Sequence, residues 1–240
     1  MAGDPECERL QMTSTNDDTW ILIPVYNEAP VIADVVDEVL ATFPNVVCVD
    51  DGSRDGSSAQ VLRTKAHLVR HPINMGQGAA LQTALKYALN RQGAKYFITF
   101  DADGQHRVED AQKMLEVARS GAAQIVIGSR FLEQVKNVPW IRRLMLRTVA
   151  WLDPSSRKLG LTDAHNGLRV LSREPAEGLK ITMNGMAHGT EIISLFTRGG
   201  WTVKEVPVTV LYTEYSRAKG QSLMNGVNIL FDLFFSKRGK

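Results

Sequence analysis

The chain has 240 residues, 44% hydrophobic and 22% charged, the make-up of an ordinary globular protein with enough apolar material for a full core. Lys plus Arg number 28 and Asp plus Glu 26, and this net charge of +2 excludes a nucleic-acid binder working by bulk electrostatics. Two cysteines, Cys7 in a polar leader and Cys48 in an apolar run, exclude a disulfide framework and make a reducing cytoplasm the expected setting.

Residues 1–19 lack the apolar segment of a secretory signal and read as a disordered leader. Then β-branched runs alternate with helical patterns. "WILIPV" (20–25), "VVCVD" (46–50), "HLVRH" (67–71), "YFITF" (96–100) and "QIVIGS" (124–129) read as strands, most of them apolar on both faces. Helical stretches fall near 29–42, 56–66, 77–91 and 108–120; in the third, Ala80, Leu81, Ala84, Leu85 and Ala88 share one face. Repeated βα units predict an α/β fold, a mostly parallel sheet flanked by helices with right-handed crossovers. Further on, 137–152 reads as a basic amphipathic helix, 166–173 and 201–215 as strands, and 189–200 as a helix between them. The tail after 216 has Leu223, Val227, Leu230, Phe231 and Phe234 at helical spacing. No run approaches the about 18 apolar residues of a membrane span.

Open α/β sheets bind ligands at the carboxyl ends of their strands. The polar residues there are "YNE" (26–28), "DDGSRDGS" (50–57), "NMGQG" (74–78), "DADGQH" (101–106) and "GSR" (128–130), all expected on one edge. A turn after "YFITF" converges Asp101 and Asp103, and a divalent cation relieves their repulsion. Mg²⁺ and Mn²⁺ bridge carboxylates to substrate phosphates in this way, with Gln105 as a further oxygen ligand. "VDDGSRDGS" offers Asp50 and Asp51 for a base or ribose, while Ser53, Asp55 and Gly56 are explained by turn and cap chemistry. Gly76 and Gly78 let the chain pass close to a nucleotide and start a helix. "PVYNE" has no glycine, so the first βα turn carries no dinucleotide fingerprint. A dehalogenase-type phosphatase also places D-x-D-G after an apolar strand, with the first Asp as nucleophile. It leaves "VDDGSRDGS" unexplained. A non-catalytic nucleotide-sugar-binding protein is a third alternative.

"IPVYNE", "VDDGSRDGS", "HPINMGQGAAL", "FDADGQH", "GSR", "NGLRVLSR" and "VKEVPVTVLYTEYSRAKGQS" occur in this order. Together they resemble inverting family 2 glycosyltransferases of the GT-A fold, most of all polyprenyl-phosphate sugar transferases of the dolichyl-phosphate mannose synthase type. The resemblance covers about residues 20–236. It implies a GT-A domain over 20–215, followed over 216–240 by an acceptor loop and an amphipathic helix. It implies sugar transfer from a nucleotide sugar to polyprenyl phosphate in cell-envelope glycan or glycolipid synthesis, with Mg²⁺ or Mn²⁺. Pro24, Tyr26, Glu28, Asp51, Asp101, Ala102 and Asp103 match the nucleotide-binding edge. Asp101, Asp103 and Gln105 match the metal ligands. Arg130, Arg169 and Arg217 match basic residues around the diphosphate and the acceptor phosphate.

Two departures matter. "AHNGLR" (164–169) stands where such relatives have a "GFR"-like stretch, so a sugar hydroxyl stays open as acceptor; it would need a general base, Glu191 or Asp163. His188 reads as an acceptor contact or a polar core residue. Those relatives often carry membrane spans. Here the basic helix at 137–152 and the tail offer a peripheral contact with the inner membrane face, and a small membrane-protein partner is a further expectation.

Overall fold

The computed structural model describes residues 16–132, 154–185, 187–211 and 215. A seven-stranded sheet runs through it: β1 (Thr19–Val25), β2 (Asn45–Asp50), β3 (His67–Arg70), β4 (Tyr96–Thr99), β5 (Ile125–Ser129), β6 (Arg169–Ser172) and β7 (Val203–Pro207). The order across the sheet is β3-β2-β1-β4-β6-β5-β7. β1 is buried at every position, as its apolar run on both faces requires, and it pairs in parallel with β2 and β4. β3, at the edge, is half exposed.

One strand runs against the rest. β6 is antiparallel to both β4 and β5, with Arg169 opposite Thr99 on one side and Ile127 on the other. An antiparallel strand begins at the edge where its neighbours end. "NGLR" is therefore delivered to the same edge as "DADGQH", although more than 60 residues separate them in the chain.

Helices α1 (Ile32–Leu40) and α4 (Val108–Arg119) pack on one face of the sheet, burying Val36, Val39, Met114 and Leu115. On the other face lie α3 (Gln77–Leu89), α6 (Arg173–Gly178) and α7 (His188–Gly199); Ala80, Ala84 and Ala88 of α3 are fully buried, and Ile193 and Phe196 of α7 pack in the same cluster. Two short helices, α2 (Ser57–Val61) and α5 (Pro154–Lys158), complete the described elements.

The differences from the sequence reading have local causes. Asn16–Asp18 form a 3₁₀ turn and Thr19 opens β1, so the fold begins before residue 20; Asn16 is buried, donating to the Thr42 carbonyl at 3.0 Å. The helix expected over 56–66 stops at Val61, where the Thr64 hydroxyl donates to the Val61 carbonyl at 2.7 Å and caps the end. The strand expected over 201–215 ends at Pro207. Helices α5 and α6 were not anticipated. The helices expected at 137–152 and after 216 lie outside the described residues. Among the described residues no helix is long and apolar enough to cross a membrane.

Candidate active site

The loops after β1 and β2 are sewn together. Asn27 N donates to Ser53 Oγ at 2.9 Å, Glu28 N to Ser57 Oγ at 2.8 Å and Ala29 N to Asp55 Oδ2 at 2.9 Å; in return Arg54 N donates to Asn27 Oδ1 at 3.0 Å. Asn27 takes the left-handed conformation, φ 54°, which Asn tolerates and which turns "YNE" toward this contact. Desolvation would raise the Asp55 carboxyl, but hydrogen bonds from Ser57 and Ala29 outweigh it and hold the group below its usual value. The turn chemistry legible in "DGSRDGS" thus fixes the neighbouring loop as well as its own. Tyr26 stands exposed on this edge, Pro24 is buried within β1, and Glu28 accepts a 2.8 Å hydrogen bond from Tyr215 Oη.

Four expected nucleotide contacts, Asp50, Asp51, Gly76 and Gly78, have close neighbours within the protein. Asp50 is fully buried; it accepts from Ser53 N at 2.9 Å and from the Ser58 hydroxyl, bracing its own turn. Gly76 and Gly78 leave room for protein backbone: a Cβ on Gly76 would collide with the Asn184 carbonyl, and one on Gly78 with the Met183 carbonyl. Asp51 is also buried. Its Oδ1 lies 2.7 Å from His71 Nδ1 and accepts from Met75 N at 2.9 Å, and its Oδ2 accepts from Gly76 N at 2.6 Å, so it shapes the loop that crosses the strand end.

Asp101 and Asp103 follow β4. The Asp101 Oδ2 lies 2.9 Å from His106 Nε2, and Oδ1 accepts from Gln77 Nε2 at 3.3 Å. Behind it is the backbone of Gly167, where a Cβ would strike the carboxylate. Burial alone would raise the Asp101 pKa; the His106 hydrogen bond and the charges of His106 and Arg169 outweigh it and hold the group below its usual value. Asp103 behaves oppositely. Burial and the charge of Asp101 push it up to about 6. Its Oδ1 accepts from Gln105 N at 3.1 Å, the Gln105 carbonyl accepts from Leu211 N at 2.8 Å, and Gln105 is buried. Ala102 packs into the core. Among the described residues no group of three or more His, Cys, Asp or Glu is arranged to hold a metal ion. A cation on the aspartate pair would take its other ligands from Gln105, water and substrate oxygens, which suits Mg²⁺ and Mn²⁺.

On the far side, Arg130 forms a two-pronged ion pair with buried Asp163: Nε to Oδ2 at 2.6 Å and Nη2 to Oδ1 at 2.7 Å. The Asp163 N–H and the Thr162 N–H both donate to the Glu205 carboxylate, tying this corner to β7. Arg169 is buried. Its Nη2 donates to the Ala164 carbonyl at 3.3 Å, its Nε has no hydrogen-bond partner among the described residues, and burial lowers its pKa to about 10 against the pull of Asp101 and Asp163. Glu191 accepts hydrogen bonds from Thr182 N, the Thr182 hydroxyl and Met183 N, so as a candidate base it is already engaged. Asp163 is engaged by Arg130. His188 is buried, its Nδ1 2.9 Å from the Gly185 carbonyl; burial lowers its pKa, with Arg169 pushing the same way. Arg217 lies outside the described residues.

Four site residues went unread in the sequence: Gln77, Gly167, Glu205 and Tyr215. Gln77 sits between two glycines that did stand out, and Gly167 lies inside "NGLR". Glu205 and Tyr215 act across the fold, and nothing local signals them.

The family model described as Glycosyl transferase family 2 matches residues 20–179. A UDP-N-acetylglucosamine–dolichyl-phosphate N-acetylglucosaminyltransferase from Methanococcus voltae is 29% identical over 92% of this chain and 96% of its own length. A polyprenol monophosphomannose synthase from Mycolicibacterium smegmatis is 30% identical over 90% of this chain and 84% of its own. Among solved structures, glucosyl-3-phosphoglycerate synthase from Mycobacterium tuberculosis, in complex with Mn²⁺ and UDP-glucose, superposes with a TM-score of 0.67 at 17% identity, covering 87% of this chain and 73% of that one.

Proposed function

The chain belongs to glycosyl transferase family 2 and has the GT-A fold, and from that premise we propose that it moves a sugar from a nucleotide-sugar donor to polyprenyl phosphate, with inversion and with Mg²⁺ or Mn²⁺ as cofactor. The membership replaces the phosphatase and non-catalytic alternatives. One observation carries the proposal: the paired carboxylates of Asp101 and Asp103 stand at the carboxyl edge of the sheet, with Asp103 held near 6 by burial and by the charge beside it. A pair under that tension favours a cation. The UDP-glucose and Mn²⁺ complex of a structural neighbour and the polyprenol and dolichyl-phosphate acceptors named in two relatives support the same reading.

In this reading the sewn loops of Tyr26, Asn27 and Glu28 border the donor, and Asp51 shapes the loop beside them. Asp101 is kept ionised and oriented by His106 and Gln77. Asp101, Asp103 and Gln105 would hold the metal, which when bound supplies positive charge for the departing nucleoside diphosphate. Arg130, fixed by Asp163, marks the side that meets the acceptor. A phosphate acceptor is already an anion and needs no base. The engagement of both expected bases, Glu191 by Thr182 and Met183 and Asp163 by Arg130, supports phosphate over a sugar hydroxyl.

The test is incubation with a panel of nucleotide sugars, Mn²⁺ or Mg²⁺, and polyprenyl phosphate. Metal-dependent transfer that Asp103→Ala abolishes is the expected result. Transfer only to glycoside hydroxyls would overturn the acceptor. No transfer and no donor hydrolysis with any sugar, or activity indifferent to Asp103→Ala, would overturn the proposal as a whole.

A further inference from the structure

Residues Ile181–Gly185 form a strap between helices α3 and α7, which share one face of the sheet. On the α3 side, Ile181 N donates to Gln82 Oε1 at 2.6 Å, and Gly78 N donates to the Asn184 carbonyl at 3.2 Å. Gly76 and Gly78 permit the approach, since a Cβ on either would collide with Asn184 or Met183 backbone. On the α7 side, the Glu191 carboxylate accepts from Thr182 N at 3.0 and 3.1 Å, from the Thr182 hydroxyl, and from Met183 N at 2.8 Å. His188 completes the tie: its backbone N donates to the Gly185 carbonyl at 3.1 Å. A carboxylate spread over three donors on an otherwise exposed segment is a latch, because charge-assisted hydrogen bonds of this kind outweigh the entropy of a short strap.

What the strap presses on is the donor side. Gly76, against Asn184, also gives its N–H to Asp51. Gln77, between the two pinned glycines, reaches Asp101 with its side-chain amide. We propose that Glu191 is a positioning residue that acts on the donor site through this strap, holding the first turn of α3, and with it Gln77 and the Asp51-bound loop, in place beside the paired aspartates. The ligand of that site rests on the nucleotide-sugar reading above; the latch itself does not.

Two measurements separate these claims. The first needs no ligand: hydrogen exchange of the Gly78 amide, which is bonded to Asn184. Glu191→Ala is expected to speed it by about tenfold or more, because the strap loses the acceptor of three donors, with β1 amides unchanged. The second is calorimetric binding of UDP and GDP with MnCl₂, read on wild type, Glu191→Ala and Gly78→Ala. Both variants are expected to bind the nucleotide that wild type binds about tenfold more weakly, with thermal unfolding still cooperative. A general base would instead leave nucleotide affinity intact and lower only transfer. Unchanged Gly78 exchange in Glu191→Ala overturns the latch. Faster exchange with unchanged nucleotide affinity in both variants overturns its action on the donor site. If wild type binds neither nucleotide, the donor reading fails, and the exchange measurement still decides the latch.

Discussion

The carboxylate of Asp101 lies directly against the bare backbone of Gly167, with no space for a Cβ between them. Asp101 follows β4, and Gly167 leads into β6, the one strand that runs against the rest. The halves of the chain therefore meet at the paired aspartates.

Substituting Gly167→Ala should force the Asp101 carboxylate away from His106. Displacement of about 1 Å at such a centre costs about a hundredfold in rate, so metal-dependent sugar transfer or donor hydrolysis should fall by that order. The overpacking should cost about 1–3 kcal/mol of stability, read by urea denaturation. Wild-type rates in Gly167→Ala would remove the packing argument.

Asp103 titrates near 6 in the folded protein against an ordinary value of 3.8. The folded state therefore holds its proton more tightly. This group's favourable contribution is complete below about pH 4, is lost as pH rises through about 6, and above that its charge is a net cost. Asp103→Asn should accordingly stabilise the metal-free protein at pH 8, by on the order of 1 kcal/mol after allowance for solvent screening, raising its melting temperature there and changing it little at pH 4. Added Mn²⁺ should stabilise wild type more at pH 8 than at pH 5, because the ion competes with a proton at the lower pH. A thermal-shift series across pH reads both effects.

Asp163 is buried, and both its oxygens pair with Arg130. Asp163→Ala removes the acceptor of two guanidinium nitrogens and of the Arg130 backbone N–H. Breaking such a pair from one side costs about 3–5 kcal/mol, and equilibrium denaturation should show a loss near the lower figure because Arg130 retains some solvent contact. Adding Arg130→Met to that variant should recover part of the loss, which a double-mutant cycle measures.

Asp51→Asn keeps one acceptor where the wild type uses two oxygens for His71, Met75 and Gly76. About 1–3 kcal/mol of stability should be lost, and the amides of Met75 and Gly76 should exchange faster. If those amides stay protected in Asp51→Asn, the side chain is free for a ligand rather than committed to the loop.

Periodicity and strand-end chemistry made most of the fold legible. The five N-terminal strands are apolar, β-branched and short, and they appear within a residue or two of where the pattern puts them. The turn residues of "DGSRDGS" announced a turn, and the D-x-D stood out by its own repulsion. Gly76 and Gly78 signal a close approach by something, but a glycine does not say by what; the structure puts the backbone of Met183 and Asn184 there. Charged residues fared similarly: Asp50, Arg169 and Glu191 are site-like in type, and their commitment to Ser53, Ala164 and Thr182 depends on partners that local sequence does not specify.

The sequence by itself determined the α/β architecture, the edge on which polar residues gather and the family, because hydrophobic period and turn chemistry act over a few residues. Only the tertiary structure decided which carboxylates face the cleft and which brace loops. That choice depends on the reversed direction of β6 and on the strap between α3 and α7, which bring together residues that share no local pattern: Asp101 with Gly167 and Glu191 with Thr182.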